Sequence, residues 1–298
     1  MSTRHLMAVE FFKLRKRMMT WVVTVLTVAL IVLLYSVLWS ISGRAGTFRD
    51  DEGFRIAYSE LRRGLFLEAG VPFALQIVAT FGTLLAIILA AGAAGSEYAW
   101  GTVRLMATAS SGRLRLVTAR FVVVWCIIAG LTVLAVLVAM GYSAVITEYY
   151  GGATFDFVTA GWFKDQGLAL GRTLFVMTPY IALAFAAAVI GRSTLAGVGA
   201  GLGVAFLEPL ISGLMRIGGG RWEQVPNYLI SANRNVVLIQ NKLPRGLPTF
   251  GPSARDLQER GSNSVEEASV ILALYIVAFL ALAFIVYRRR DITAGTNA

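Results

Sequence analysis

From Thr20 to Ile41 the chain runs for 22 residues without a charge, and most of them are apolar. At about 1.5 Å of rise per residue, a helix of that length matches the roughly 30 Å hydrocarbon core of a bilayer. Lipid offers no partner to a free backbone N–H or C=O, so a segment of this kind crosses as an α-helix. Five further runs follow, at 71–94, 121–146, 168–190, 196–215 and 270–287, with Pro72 in the first turn of the second. The expected fold is all-α: one transmembrane domain over residues 1–298 with six membrane-spanning helices. Composition agrees, since 57% of residues are hydrophobic and 15% charged, against about 25% charged in soluble domains. The basic flank before Thr20 and the small-x-small triplet Gly43-Arg44-Ala45 resemble a signal peptide. The apolar run is longer than the roughly 7–15 residues of a signal core, so it reads as a retained span.

The formal net charge is +10, and its distribution orients the spans. With the N-terminus in the cytoplasm, the inner segments hold Arg4, Lys13, Arg15, Lys16, Arg17, Arg104, Arg113, Arg115, Arg120, Arg192 and Arg288 to Arg290, against Glu10, Glu97 and Asp291. The outer segments balance to zero. A cytoplasmic excess of Lys and Arg is the normal topological signal, so both termini are expected inside. The excess charge then faces anionic lipid headgroups, and no nucleic-acid partner is expected.

Chemistry is limited by inventory. The only cysteine is Cys126, inside an apolar run, and the only histidine is His5. No disulfide framework, cysteine metal cluster or His-dependent triad can be assembled from them. No catalytic and no metal-binding residue is expected. The adjacent acids Glu266 and Glu267 lie outside the last span with no His nearby, which leaves an intramembrane hydrolase without ligands.

Residues 4–19 repeat Met7, Phe11, Leu14 and Met18 at helical spacing, with Lys13, Lys16 and Arg17 available to the polar side. This predicts an amphipathic helix lying in the membrane interface. In the first outer loop, Phe54, Ala57, Leu61 and Leu65 predict a short external helix. The outer segment 216–269 is the longest; its apolar run Val236 to Ile239 is too short to span and reads as a dipping or surface helix.

The sizeable inner loop is 95–120. Ser96 is a suitable N-cap, and Glu97 would follow in the first turn, where the helix dipole favours an anion. A short helix carrying Tyr98, Trp100, Leu105 and Met106 is expected, ended by Ser110-Ser111-Gly112. Exposed aromatics on such a helix suit docking to a soluble partner; on the residues alone, a membrane-surface helix fits equally well.

The pattern Glu97-x-x-x-Gly101-Thr102 after the second span, with Arg120 before the third, resembles the permease subunits of type-2 ABC exporters. So do the segment Glu10-Phe11-Phe12-Lys13-Leu14-Arg15 leading into the first span and the long outer segment between spans five and six. Where that family usually has Lys ahead of the third span this chain has Arg120, and the charge is kept. The resemblance implies a half-transporter in a prokaryotic cytoplasmic membrane, paired with a second permease subunit and with two copies of a P-loop ATPase. Glu97, Tyr98, Trp100, Gly101, Thr102 and Arg104 would then form a coupling helix seated on the ATPase. ATP and Mg would be held by that partner, because Gly-Lys, which a P-loop needs, occurs nowhere in this sequence. The alternative is a secondary transporter, or another six-span membrane protein not coupled to an ATPase.

Two charges fall inside spans, Arg172 in the fourth and Glu208 in the fifth. Intramembrane ions are costly and face bundle interiors or cavities. The pair reads as part of a pathway, or as an ion pair between adjacent helices. Gly197, Gly199, Gly201 and Gly203 make two small-xxx-small pairs that predict close helix packing.

Overall fold

The computed structural model describes residues 3–44, 46–49, 55–99, 113–150, 156–218, 220–222, 224–243 and 247–289. Among them six helices are long and apolar enough to cross a membrane, and the chain is a multi-pass membrane protein of the all-α class.

Helix α1 spans Thr3–Lys16 and α2, the first membrane span, Met18–Ser42. Arg17 between them is extended, with φ −76° and ψ 132°. The break leaves terminal carbonyls of α1 without intrahelical partners. The hydroxyl of Thr20 donates to Leu14 O (2.7 Å) and the indole of Trp21 to Arg15 O (3.0 Å). A small antiparallel hairpin follows, β1 (Thr47–Arg49) with β2 (Arg55–Ala57), Thr47 lying opposite Ala57. The external helix expected from Phe54 onward is present as α3, Tyr58–Gly64. It starts later than its apolar spacing suggested because the hairpin holds Ala57 in an extended conformation; Phe54 lies outside the described residues.

The second span is continuous but not uniform. Helix α4 (Gly70–Ile77) passes through a π-helical turn (Val78–Gly82) into α5 (Thr83–Ala99). A π turn accommodates one extra residue, its N–H groups reaching back five positions, as Thr83 N–H does to Val78 O. Ala79 O also accepts from the Thr83 hydroxyl.

Helix α6 (Arg113–Tyr149) is the third span. Helix α7 (Ala160–Gly191) is the fourth, capped by the Thr159 hydroxyl, which accepts from Trp162 N at 3.2 Å. The two-residue turn Arg192-Ser193, with Arg192 in the left-handed region, joins α7 to the fifth span, α8 (Thr194–Gly218). Beyond it come α9 (Ile230–Leu238), α10 (Ala254–Glu259) and the sixth span, α11 (Val265–Arg289).

The centre of the bundle is the second and fourth spans. Phe73, Ile77, Ile87 and Leu89 of one and Met177, Ile181 and Phe185 of the other are sealed. Glycines set how closely α8 approaches them. A Cβ on Gly197 would stand 2.6 Å from Ala184 O and 2.7 Å from the Cβ atoms of Ala188 and Ala91, and one on Gly201 2.6 Å from Ile87. Gly199 and Gly203 face open space. The small-residue stripe therefore has one packed edge, against α5 and α7. By contrast α2, α8 and α11 leave Val25, Leu33, Phe206, Leu210, Val270 and Val277 uncovered, as suits helices that border lipid.

Candidate functional site

The end of the bundle nearest α1 is held by two polar junctions. Buried residues on α1 recur at Leu6, Glu10 and Leu14, one helical stripe, and Leu6 packs with Leu116 and Ala119 of α6. This corrects the expected apolar face. Phe11 is exposed, and Met18 lies beyond the break at Arg17, in α2. An acid can occupy the middle of the stripe because cations meet it there. Glu10 Oε2 accepts from Arg120 Nε at 3.3 Å, with both side chains 4% exposed, and Glu10 Oε1 accepts from Lys13 Nζ at 2.7 Å. Burial pushes the Glu10 carboxyl up, but Arg120 and Lys13 outweigh it and hold the group below the usual carboxylate range.

The second junction sits at the break. Arg17 Nη1 donates to Ser96 Oγ (2.6 Å) and to Gly92 O (3.3 Å) near the end of α5. Ser96 is therefore not the N-cap of a new helix, as its position had suggested. Helix α5 runs through it to Ala99, and its hydroxyl serves Arg17. Glu97 and Tyr98 fall in the last turn of α5 rather than the first turn of a separate helix. Trp100, Gly101, Thr102 and Arg104 lie outside the described residues.

At the opposite end, α9 enters the bundle from the side of the long connection. Its Ile230, Ser231, Asn233, Val236 and Val237 are buried. The Glu208 carboxylate of α8 accepts the N–H groups of Ile230 and Ser231, the latter at 3.2 Å, with the Tyr180 hydroxyl beside it. An anion on orphan amides at the positive end of a helix is a favourable arrangement. One turn on, Arg234 Nη2 donates to Ala79 O (2.8 Å) and Thr80 Oγ1 (3.3 Å) in the π turn. Arg216 reaches Asn227 Oδ1 at 3.1 Å and Arg260 O at 3.3 Å, and Asn263 donates to Asn233 Oδ1 at 2.9 Å.

A protein family described as being of unknown function, DUF2705, matches residues 29–293 of the chain. The chain belongs to the DUF2705 family. No curated protein matches it. In this DUF2705 protein the matched region takes in most of α2 and all later spans, while Glu10 and Arg17 precede it.

Arg172 and Glu208 are not brought together as a pair. Arg172 Nη1 donates to Gln240 O at 3.3 Å, just past the end of α9, whereas Glu208 caps its start. The two charges hold opposite ends of one short helix. Sequence reasoning missed Arg234 entirely and met Glu10 only within a motif. The signal for Glu10 was an acid four residues after Leu6 and four before Leu14, on one helical stripe. For Arg234 no local signal existed, because its partner lies 155 positions earlier.

Proposed function

We propose that this DUF2705 protein is the membrane-spanning permease subunit of an ATP-driven exporter of the type-2 ABC kind. In this reading its termini lie in the cytoplasm, and it works as a dimer with a separate P-loop ATPase on each half. The observation that carries the reading is the way segment 100–112 is flanked. On one side α5 runs to Ala99 and is tied through Ser96 to Arg17. On the other, α6 begins at Arg113 and is tied through Arg120 to Glu10 of α1. A partner that pressed on the segment would thus move the second span, the third span and the interfacial helix together. The sequence Glu97-Tyr98-Ala99-Trp100-Gly101-Thr102 at its head supplies an aromatic anchor suited to such a partner. The 13 cations of the side that includes this segment, against three acids, support its cytoplasmic placement.

The deciding experiment is purification from native membranes after mild cross-linking. A P-loop ATPase should co-purify in a ratio near one per permease chain, and its hydrolysis in lipid vesicles should depend on the permease. Purification of a chain free of any ATPase, together with transport driven by an ion gradient, would refute the proposal.

A further inference from the structure

We infer that α9 plugs the end of the bundle remote from α1, and that Glu208 and Arg234 are two independent latches that hold the plug in place. Nine residues of helix reach only about 14 Å, so α9 enters the bundle without crossing it. Its apolar face is sealed, with Val236 5% and Val237 2% exposed. Packing helps to seat it. The polar contacts do something more particular, because each fastens it to a different span.

Glu208 holds the start of the plug to α8. Its carboxylate takes two backbone amides that no residue within α9 can satisfy. If α9 withdrew, those donors would lose their acceptor and the carboxylate would keep only the Tyr180 hydroxyl inside the membrane, where a poorly paired ion is costly. Arg234 holds the middle of the plug to the second span. Its acceptor, Ala79 O, belongs to the π turn. That carbonyl is shared with the Thr83 hydroxyl, and the same guanidinium nitrogen also reaches Thr80 Oγ1 (3.3 Å). Asn233 and Asn263 do neither job: they bond to Asn227, Leu229 and each other, and so shape the approach to the plug.

The latches answer to different movements. A shift of α8 against the bundle strains Glu208 and spares Arg234; a rotation of the second span does the reverse. The second span continues from Ala79 to Ala99, about 30 Å of helix, so its far end is the one flanking segment 100–112. Opening the plugged end therefore requires that both spans let go. The inference rests on the exporter reading only in treating this end as the exit of a pathway.

The test uses purified protein in lipid nanodiscs, with both faces open to reagent and neither ATPase nor nucleotide present. In a Cys126→Ala background, Val237→Cys should react slowly with a charged maleimide. Adding Glu208→Gln or Arg234→Met should raise the rate by about tenfold or more, the signature of local opening. Arg234→Lys, which keeps a donor, should restore most of the protection. Ala135→Cys, fully buried in α6, should stay slow throughout. Unchanged labelling of Val237→Cys in either latch variant overturns the inference of two latches, and so does equal acceleration at Ala135→Cys, which would mean general loosening. If Glu208→Gln is not recovered from membranes, the contrast between Arg234→Met and Arg234→Lys decides. Because no transport is measured, a failure here is distinct from a failure to find an ATPase.

Discussion

Glu10 and Arg120 are 110 positions apart in the chain and paired at 3.3 Å, each with 4% of its side chain exposed. A buried ion pair repays its desolvation only with good geometry and further hydrogen bonds, and removing one partner typically costs about 3–5 kcal/mol. Lys13, which shares the carboxylate, is partly solvated, so Glu10→Gln should fall near the lower end, about 3 kcal/mol. The expected result is a lower Tm in detergent and loss of protease protection of α1, with membrane insertion intact. A Tm equal to wild type would show that the pair holds nothing.

The same carboxyl predicts a pH dependence. Its folded value is held below the ordinary one, so the unfolded chain binds the proton more readily. The stabilisation is therefore present above the unfolded value, about pH 4.3, and is lost as pH falls through the lower folded value. The Tm gap between wild type and Glu10→Gln should be full at pH 7 and close as the pH drops below about 4. A gap that widens on acidification would reverse the assigned sign.

Glycines on α8 should divide into two classes. Gly197→Ala drives a methyl into Ala184 O and two alanine side chains, and overpacking of this kind costs about 1–3 kcal/mol. Gly199→Ala meets nothing within 4 Å and should be neutral or gain up to about 1 kcal/mol from helix propensity. Thermal unfolding in one detergent reads both; equal effects would mean that α8 packs on a different edge.

Docking can be tested at the end of the second span and in the segment just beyond it. Trp100→Ala should reach the membrane at normal abundance and lose about 2 kcal/mol of ATPase affinity, as for a central aromatic anchor. Glu97→Ala and Gly101→Val should weaken it further. Pull-down of the ATPase measures all three, and wild-type recovery in Trp100→Ala would assign this segment to the membrane surface instead.

Topology has its own measurement. In a Cys126→Ala background, cysteines at Ser2, Ser110 and Thr293 should label only from the cytoplasm, and those at Thr47, Gly152 and Ser253 only from outside. Labelling of Ser2→Cys from outside would invert the orientation drawn from charge.

The spans were legible because lipid imposes one rule on every residue of a run: a stretch such as 20–41 has no other stable form. Gly197 and Gly201 were legible as a packing edge for the same reason, though the partner was not, since a small residue says how near a neighbour comes and not which one. The errors have local causes. Ser96 has the right chemistry for a cap, but α5 had no reason to stop before it, and Arg17 took the hydroxyl. Ser253-Ala254-Arg255-Asp256 is a capping box readable from four residues, and it opens α10; that signal was passed over. Glu208 stands out in the sequence as a charge within a span, but of its two readings the ion pair with Arg172 is not formed. Its partners are two backbone amides and the Tyr180 hydroxyl, and no pattern of side chains announces the amides. The π turn at Val78–Gly82 had no signature in the local sequence, and the Arg234 side chain that meets it comes from 155 positions along the chain.

That turn also stores length. It holds one residue more than a regular helix would over the same rise. Were the turn to relax to α-helical form, the second span would grow by about 1.5 Å and its far half would swing by about 100°. Ala79 O and Thr80 Oγ1 would then shift against Arg234, which donates to both. The span is thus a screw with one spare thread, whose phase at one end is recorded by the two hydrogen bonds of a single arginine at the other.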